Sequence, residues 1–162
     1  MDECESGTKN RRSAEAFRQA RSLNEGSYQV WGNLADALRW ANEPAESQSA
    51  FLRAKELAVE RARINPADAS VQLAIAAYSF ELGQTADGQL YLQRTLALKP
   101  ADPHSLFQLA VLYEHWLMNR DQALDWLEKA IERGQTWREV DHAPALRNLR
   151  EDPRFRMLRG KS

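Results

Sequence analysis

WGNLADALRWANEPAESQSAFLRA, residues 31–54, contains two short apolar patterns at helical spacing, with Pro44 opening the second. The first is Trp31-x2-Leu34-Ala35 and the second is Ser47-x3-Phe51-x2-Ala54. Both recur along the chain. Small residues stand at Ser13, Ser47, Gly88 and Ala123, and large apolar ones at Phe17, Phe51, Leu92 and Leu127. A third register is Ala20, Ala54, Thr95 and Ala130. In each register the intervals are 34, 41 and 35 residues. A second family of positions holds Trp31, Gln72 and Leu106; Leu34, Ile75 and Leu109; Ala35, Ala76 and Ala110, at intervals of 41 and 34. Six registers moving in step define an internal repeat of helical hairpins.

The side-chain sizes explain the pattern. Small residues let neighbouring helices approach to about 8–10 Å, and large ones fill the gaps between them. One hairpin cannot bury its own apolar face, so hairpins stack. Arg at Ala54 or Ala110 is expected to overpack such a contact and bury an unpaired charge.

A period of about 34 residues with W-x2-L-A, then A-x3-F-x2-A and a proline, resembles the tetratricopeptide repeat. The second copy has Ile75-Ala76, then Gly88-x3-Leu92-x2-Thr95 with Pro100. The third has Leu106-x2-Leu109-Ala110-x2-Tyr113, then Ala123-x3-Leu127-x2-Ala130. The resemblance covers roughly residues 10–134. It implies an all-α fold: an αα-superhelix of stacked antiparallel hairpins with a C-terminal helical cap. The expected organisation is a disordered tail at 1–9, a half repeat at 10–26, full repeats at 27–67, 68–101 and 102–134, and a capping segment at 135–162.

Departures from the period carry information. The 41-residue interval adds seven residues between Ala54 and Gln72. Seven residues make about two helical turns, so the buried face keeps its direction. Leu57, Ala58 and Ala62 extend the stripe of Phe51 and Ala54. One long helix is therefore expected from Pro44 to Ile64, ended by Asn65-Pro66 and overhanging the stack at its far end. The extra residue of the 35-residue interval falls in the turn at 117–120. Asp102-Pro103 and Asp152-Pro153 read as helix starts. Gly83 and Gly134 read as helix stops, and Thr136-x-x-Glu139 as a capping box.

The two ends differ. Residues 13–23 match the second helix of a repeat with no first helix before it. Either that helix packs on the next hairpin alone, or the chain is cut from a longer protein; the second is the expectation. At the other end, Val140, Leu146, Leu149, Phe155 and Leu158 are spread among charges. The run from Asp141-His142-Ala143-Pro144 to Asp152-Pro153-Arg154-Phe155 resembles a segment that follows repeats in bacterial multidomain serine/threonine kinases, nucleotide cyclases and winged-helix regulators. That resemblance implies a cap over the last apolar face, and a docking or sensor part of such a regulator. No kinase, cyclase or DNA-binding motif accompanies it.

Composition narrows the function. Of 162 residues 43% are hydrophobic, and 22 basic residues balance 23 acidic ones for a net charge of −1. This argues against a coat for nucleic acid or an anionic membrane. No stretch reaches the roughly 20 apolar residues that span a bilayer, and the acidic start Met1-Asp2-Glu3-Cys4-Glu5 is no signal peptide. The expected compartment is the cytoplasm, or outside it if an upstream span exists. There is no Walker A loop, G-x-G-x-x-G, H-E-x-x-H or paired-cysteine pattern. His104 and His115 share a helical face but stand about 16 Å apart. Cys4 lies in the tail, and the acidic pairs read as solvated faces. No enzyme activity, catalytic residue, cofactor or metal site is expected.

In the tetratricopeptide family first helices line a concave groove. By position, that resemblance implies Gln29, Gly32, Asp36 and Arg39, then Ser70, Leu73, Ala77 and Phe80, then His104, Phe107, Val111 and Glu114. Leu73, Ala77, Phe80, Phe107 and Val111 would form an exposed apolar patch beside polar Asp36 and Arg39, unless the cap or the long helix fills it. Trp40 and Trp116 would stand at its rim. The Lys/Asn/Arg clamp that grips carboxylate tails is absent, because the matching positions hold Gly32, Asp36, Ala74, His104 and Gln108. A protein or peptide partner is expected, with Phe80→Glu or Phe107→Glu abolishing its binding. The alternative is self-association through a bare N-terminal half repeat.

Overall fold

The computed structural model describes residues 15–19 and 24–160. All regular structure among these residues is helical. The chain divides into two compact units, residues 1–94 and 95–162.

In the first unit α1 (Tyr28–Trp40) and α2 (Pro44–Ile64) form one hairpin, followed by α3 (Ala69–Glu81) and α4 (Thr85–Ala97), whose last three residues fall past the unit boundary at Arg94. The Ser27 hydroxyl accepts the Val30 amide, and the Asp68 carboxylate accepts the Ser70 and Val71 amides, satisfying donors at two helix starts. α1 and α2 lie side by side, joined by a three-residue turn. Leu34, Leu38, Ala50 and Phe51 share one apolar cluster. The Ser47 hydroxyl donates to the Ala35 carbonyl at 2.8 Å, a contact possible only where both residues are small. α2 has the bounds expected from its sequence. Its two extra turns bury Ala58 against Val71 and Ile75, while Ile64 at the far end stays exposed. Upstream, residues 15–19 are helical and Phe17 packs on the α1–α2 cluster. Arg18 reaches Glu43 and, at 2.9 Å, Glu46. Ser13, Ala20, Cys4 and the expected tail at 1–9 lie outside the described residues.

Three helices end alike. Asn42, Gly83 and Gly134 have φ of 62°, 71° and 104°. The next amide then donates back across the turn: Glu43 to Leu38, Gln84 to Ser79 and Gln135 to Ala130, at 2.9, 2.8 and 2.9 Å. This is the Schellman closure, which consumes an orphan carbonyl. The turn at 117–120 is the variant. Met118 takes φ of 51°, and Asn119 donates one residue farther back, to Tyr113. The extra residue of the 35-residue interval is absorbed there.

In the second unit α5 (Pro103–His115) and α6 (Arg120–Glu132) form the last hairpin. Asp102 and Asn119 cap them by accepting the Ser105 and Gln122 amides. Short α7 (Trp137–His142), two 3-10 turns (Pro144–Leu146 and Asn148–Glu151) and α8 (Pro153–Gly160) complete the unit. Val140, Leu146, Leu149, Phe155 and Leu158 are all buried, in one cluster with Leu106, Phe107, Ala110, Leu124, Leu127 and Ala130. Trp137 meets Phe155 edge-on at 5.5 Å. Arg154 holds Asp125 at 2.7 Å, and Arg150 donates to the Asp141 and Ala143 carbonyls. The segment covers the apolar side of the last hairpin.

Every described position of the six registers is buried except Phe17 and Trp31, which are partly so. Ala35, Ala54, Ala76, Ala110, Ala123 and Ala130 are completely enclosed. The fold is all-α and tetratricopeptide-like, built from adjacent helix pairs.

Candidate functional site

The first helices α1, α3 and α5 hold the expected groove residues, and their packing moves the open surface. Leu73, Phe80 and Phe107 are only 3%, 5% and 7% exposed, so the expected open apolar patch does not form at these positions. Phe80 fills the slot opened by Gly88 on α4, where an added Cβ would stand 2.9 Å from its ring. Phe107 belongs to the cluster formed with the capping segment. Gly32 is covered by Tyr78 of α3. Glu114 is buried and held by Arg120 at 2.9 Å. Glu at Phe80 or Phe107 would thus disrupt packing rather than test binding.

On each first helix the open positions are those whose second and fourth members come one residue later. In the first unit these are Gln29, Asn33, Asp36 and Trp40 on α1, and Ser70, Ala74, Ala77 and Glu81 on α3. In the second unit, taken by itself, they are His104, Gln108, Val111 and His115 on α5. All twelve are exposed or half-buried. Their spacing of four, three and four residues keeps each set of four on one helical face. Asp36, Ala77, His104 and Val111 belong to the expected set. Asn33, Glu81 and His115 were missed.

In the first unit α1 and α3 are tied across this face. Arg39 holds both Glu81 oxygens at 2.6 and 2.7 Å and Asp36 at 2.8 Å. Its guanidinium also lies over the Trp40 and Phe51 rings, at 5.4 and 6.0 Å. Burial pushes the Asp36 carboxyl up, and Arg39 offsets part of that rise. Tyr78 donates to the Tyr28 carbonyl at 3.3 Å, and burial pushes its hydroxyl up strongly. Ala74 and Ala77 stay partly exposed on the same face of α3 as Glu81, and Trp40 of α1 is 47% exposed. The surface can accept an apolar side chain on the alanines and hydrogen-bond donors at its carboxylates.

In the second unit α5 presents His104, Gln108, Val111 and His115. His115 stands edge-on to Trp116 at 4.9 Å. Three cations of the basic C-terminal stretch are used internally. Arg154 meets Asp125, Arg159 grips both Asp141 oxygens, and Arg150 binds backbone carbonyls. Among the described residues no three His, Cys, Asp or Glu side chains gather as a metal site, and no helix is long and apolar enough to cross a membrane.

No family model and no curated protein matches the chain. Among solved structures it is similar to one described as "Crystal structure of MamA", with a TM-score of 0.37 and 19% identity, over 80% of this chain and 70% of that one.

Proposed function

We propose that the chain is a protein-interaction scaffold, holding a peptide or a protein domain on the open α1–α3 face of its first unit. One observation carries the reading. The repeat registers are spent on packing, yet the α1–α3 face keeps the small side chains of Ala74 and Ala77 at the surface among polar ones. An extended or helical segment could lay its apolar side chains there and its polar groups at Asp36 and Arg39. The Asp141–Phe155 resemblance extends the proposal: the scaffold would be the C-terminal docking or sensor part of a larger bacterial regulator, working in the cytoplasm.

Peptides selected against the full chain from a random display library test this. Ala77→Arg should weaken the selected peptides at least tenfold, about 1.4 kcal/mol, with helix content unchanged. Binding indifferent to this substitution would remove the α1–α3 face as the site.

A further inference from the structure

The α1–α3 face of the first unit carries an unbalanced negative charge. Arg39 is the only cation on α1 or α3, and it stands against two acids, Asp36 and Glu81. On α2 the balance is reversed, with four cations against three acids. The negative excess is therefore a property of this face and not of the whole unit.

Arg39 cannot neutralise both acids. One terminal nitrogen holds both Glu81 oxygens at 2.6 and 2.7 Å, and the other holds a single Asp36 oxygen at 2.8 Å. The Glu81 side chain is enclosed, at 12% exposed, whereas that of Asp36 is 51% exposed. The second Asp36 oxygen bonds no described residue. Burial raises the Asp36 carboxyl even so, which marks a carboxylate that has lost part of its water without gaining a full partner. α1 and α3 also end here, at Trp40 and Glu81, and helix C-termini favour cations.

Next to this charge the α3 surface is small and uncharged. Ala77 stands one turn before Glu81 and Ala74 one turn before Ala77, both partly exposed. An acidic partner would meet the same unbalanced charge and be repelled, whereas a Lys or Arg would complete it.

We propose, on the scaffold reading above, that the partner presents a basic amphipathic segment, with a Lys or Arg bonded to the open oxygen of Asp36 and an apolar side chain set against Ala74 and Ala77. The contact is partly exposed, so binding weakens as salt rises.

Peptides selected against the full chain from a random display library test this, together with an analogue of the tightest one in which every Lys and Arg is replaced by Gln. Selection should enrich Lys and Arg over Asp and Glu. Asp36→Asn should weaken the basic peptide by about fivefold and the Gln analogue by less than about twofold, with circular dichroism unchanged because Asp36 is half exposed. On the unaltered chain, the Gln analogue should bind about fivefold more weakly than its parent. Peptides without that enrichment, or an equal effect of Asp36→Asn on both, overturn the basic partner; if Ala77→Arg still weakens them, the scaffold reading stands without it. Binding indifferent to Ala77→Arg overturns both. A face already covered by a second copy, seen as a concentration-dependent mass that Ala77→Arg abolishes, also overturns the proposal.

Discussion

Gly32 of α1 lies directly beneath Tyr78 of α3. A Cβ at position 32 would stand 2.3 Å from the phenolic oxygen and 2.8 Å from two ring carbons. The ring cannot step aside freely. It packs 6.0 Å from Phe51, and its hydroxyl donates to the Tyr28 carbonyl. The missing side chain is what lets α1 and α3 meet.

Gly32→Ala sets two effects against each other. Ala gains about 1 kcal/mol of helix propensity over Gly, while overpacking costs about 1–3 kcal/mol. At 2.3 Å the clash should prevail, for a net loss of about 1–2 kcal/mol in urea unfolding. Tyr78→Phe should relieve only part of it, since the ring carbons also clash. Tyr78→Ala should make the pair clearly non-additive.

Gly83→Ala places a side chain on a residue with φ of 71° and open space around it. The expected loss is about 1 kcal/mol from backbone strain alone. Met118→Gly should do the reverse and raise the melting temperature, because Met118 holds φ of 51°. A neutral result at both positions would contradict the turn geometry.

Phe80→Glu and Phe107→Glu should each cost more than about 3 kcal/mol, since each buries an unpaired carboxylate in a packed slot. Circular dichroism melts would show this before any binding measurement. A stable, fully helical Phe80→Glu variant would mean that Phe80 faces solvent after all.

The capping segment should respond to acid. The Arg159 guanidinium, bonded to both carboxylate oxygens, holds Asp141 below the usual carboxylate range. A carboxyl depressed on folding contributes stability above its unfolded pKa and loses it as pH falls through the folded one. The protection factor at Val140, its exchange rate referred to the intrinsic rate at each pH, should therefore fall below about pH 4, and Asp141→Asn should flatten that dependence.

Much of this was legible in the residues. α2 could be bounded because Pro44 opens it, Asn65-Pro66 closes it, and a seven-residue insertion preserves the phase of Leu57, Ala58 and Ala62. The turn at 117–120 was legible from one interval longer by a residue. The open surface was not. Residues three and four apart share a helical face, so periodicity alone cannot separate Phe80 from Glu81 or Gly32 from Asn33. Which is covered depends on a partner across the interface: Gly88 makes room for Phe80, and Tyr78 claims the space above Gly32. Such pairings belong to two helices at once. Phe107 was misplaced for a similar reason, because the capping residues that enclose it lie more than thirty positions later.

The account turns on the enclosed alanines, and comparison within one helix tests them most directly. Ala54 is completely buried and Ala45 is exposed, both on α2. Urea unfolding of Ala54→Arg should show a loss of more than about 3 kcal/mol, and Ala45→Arg a change within about 0.5 kcal/mol. Equal losses at the two positions, or none at either, would contradict it.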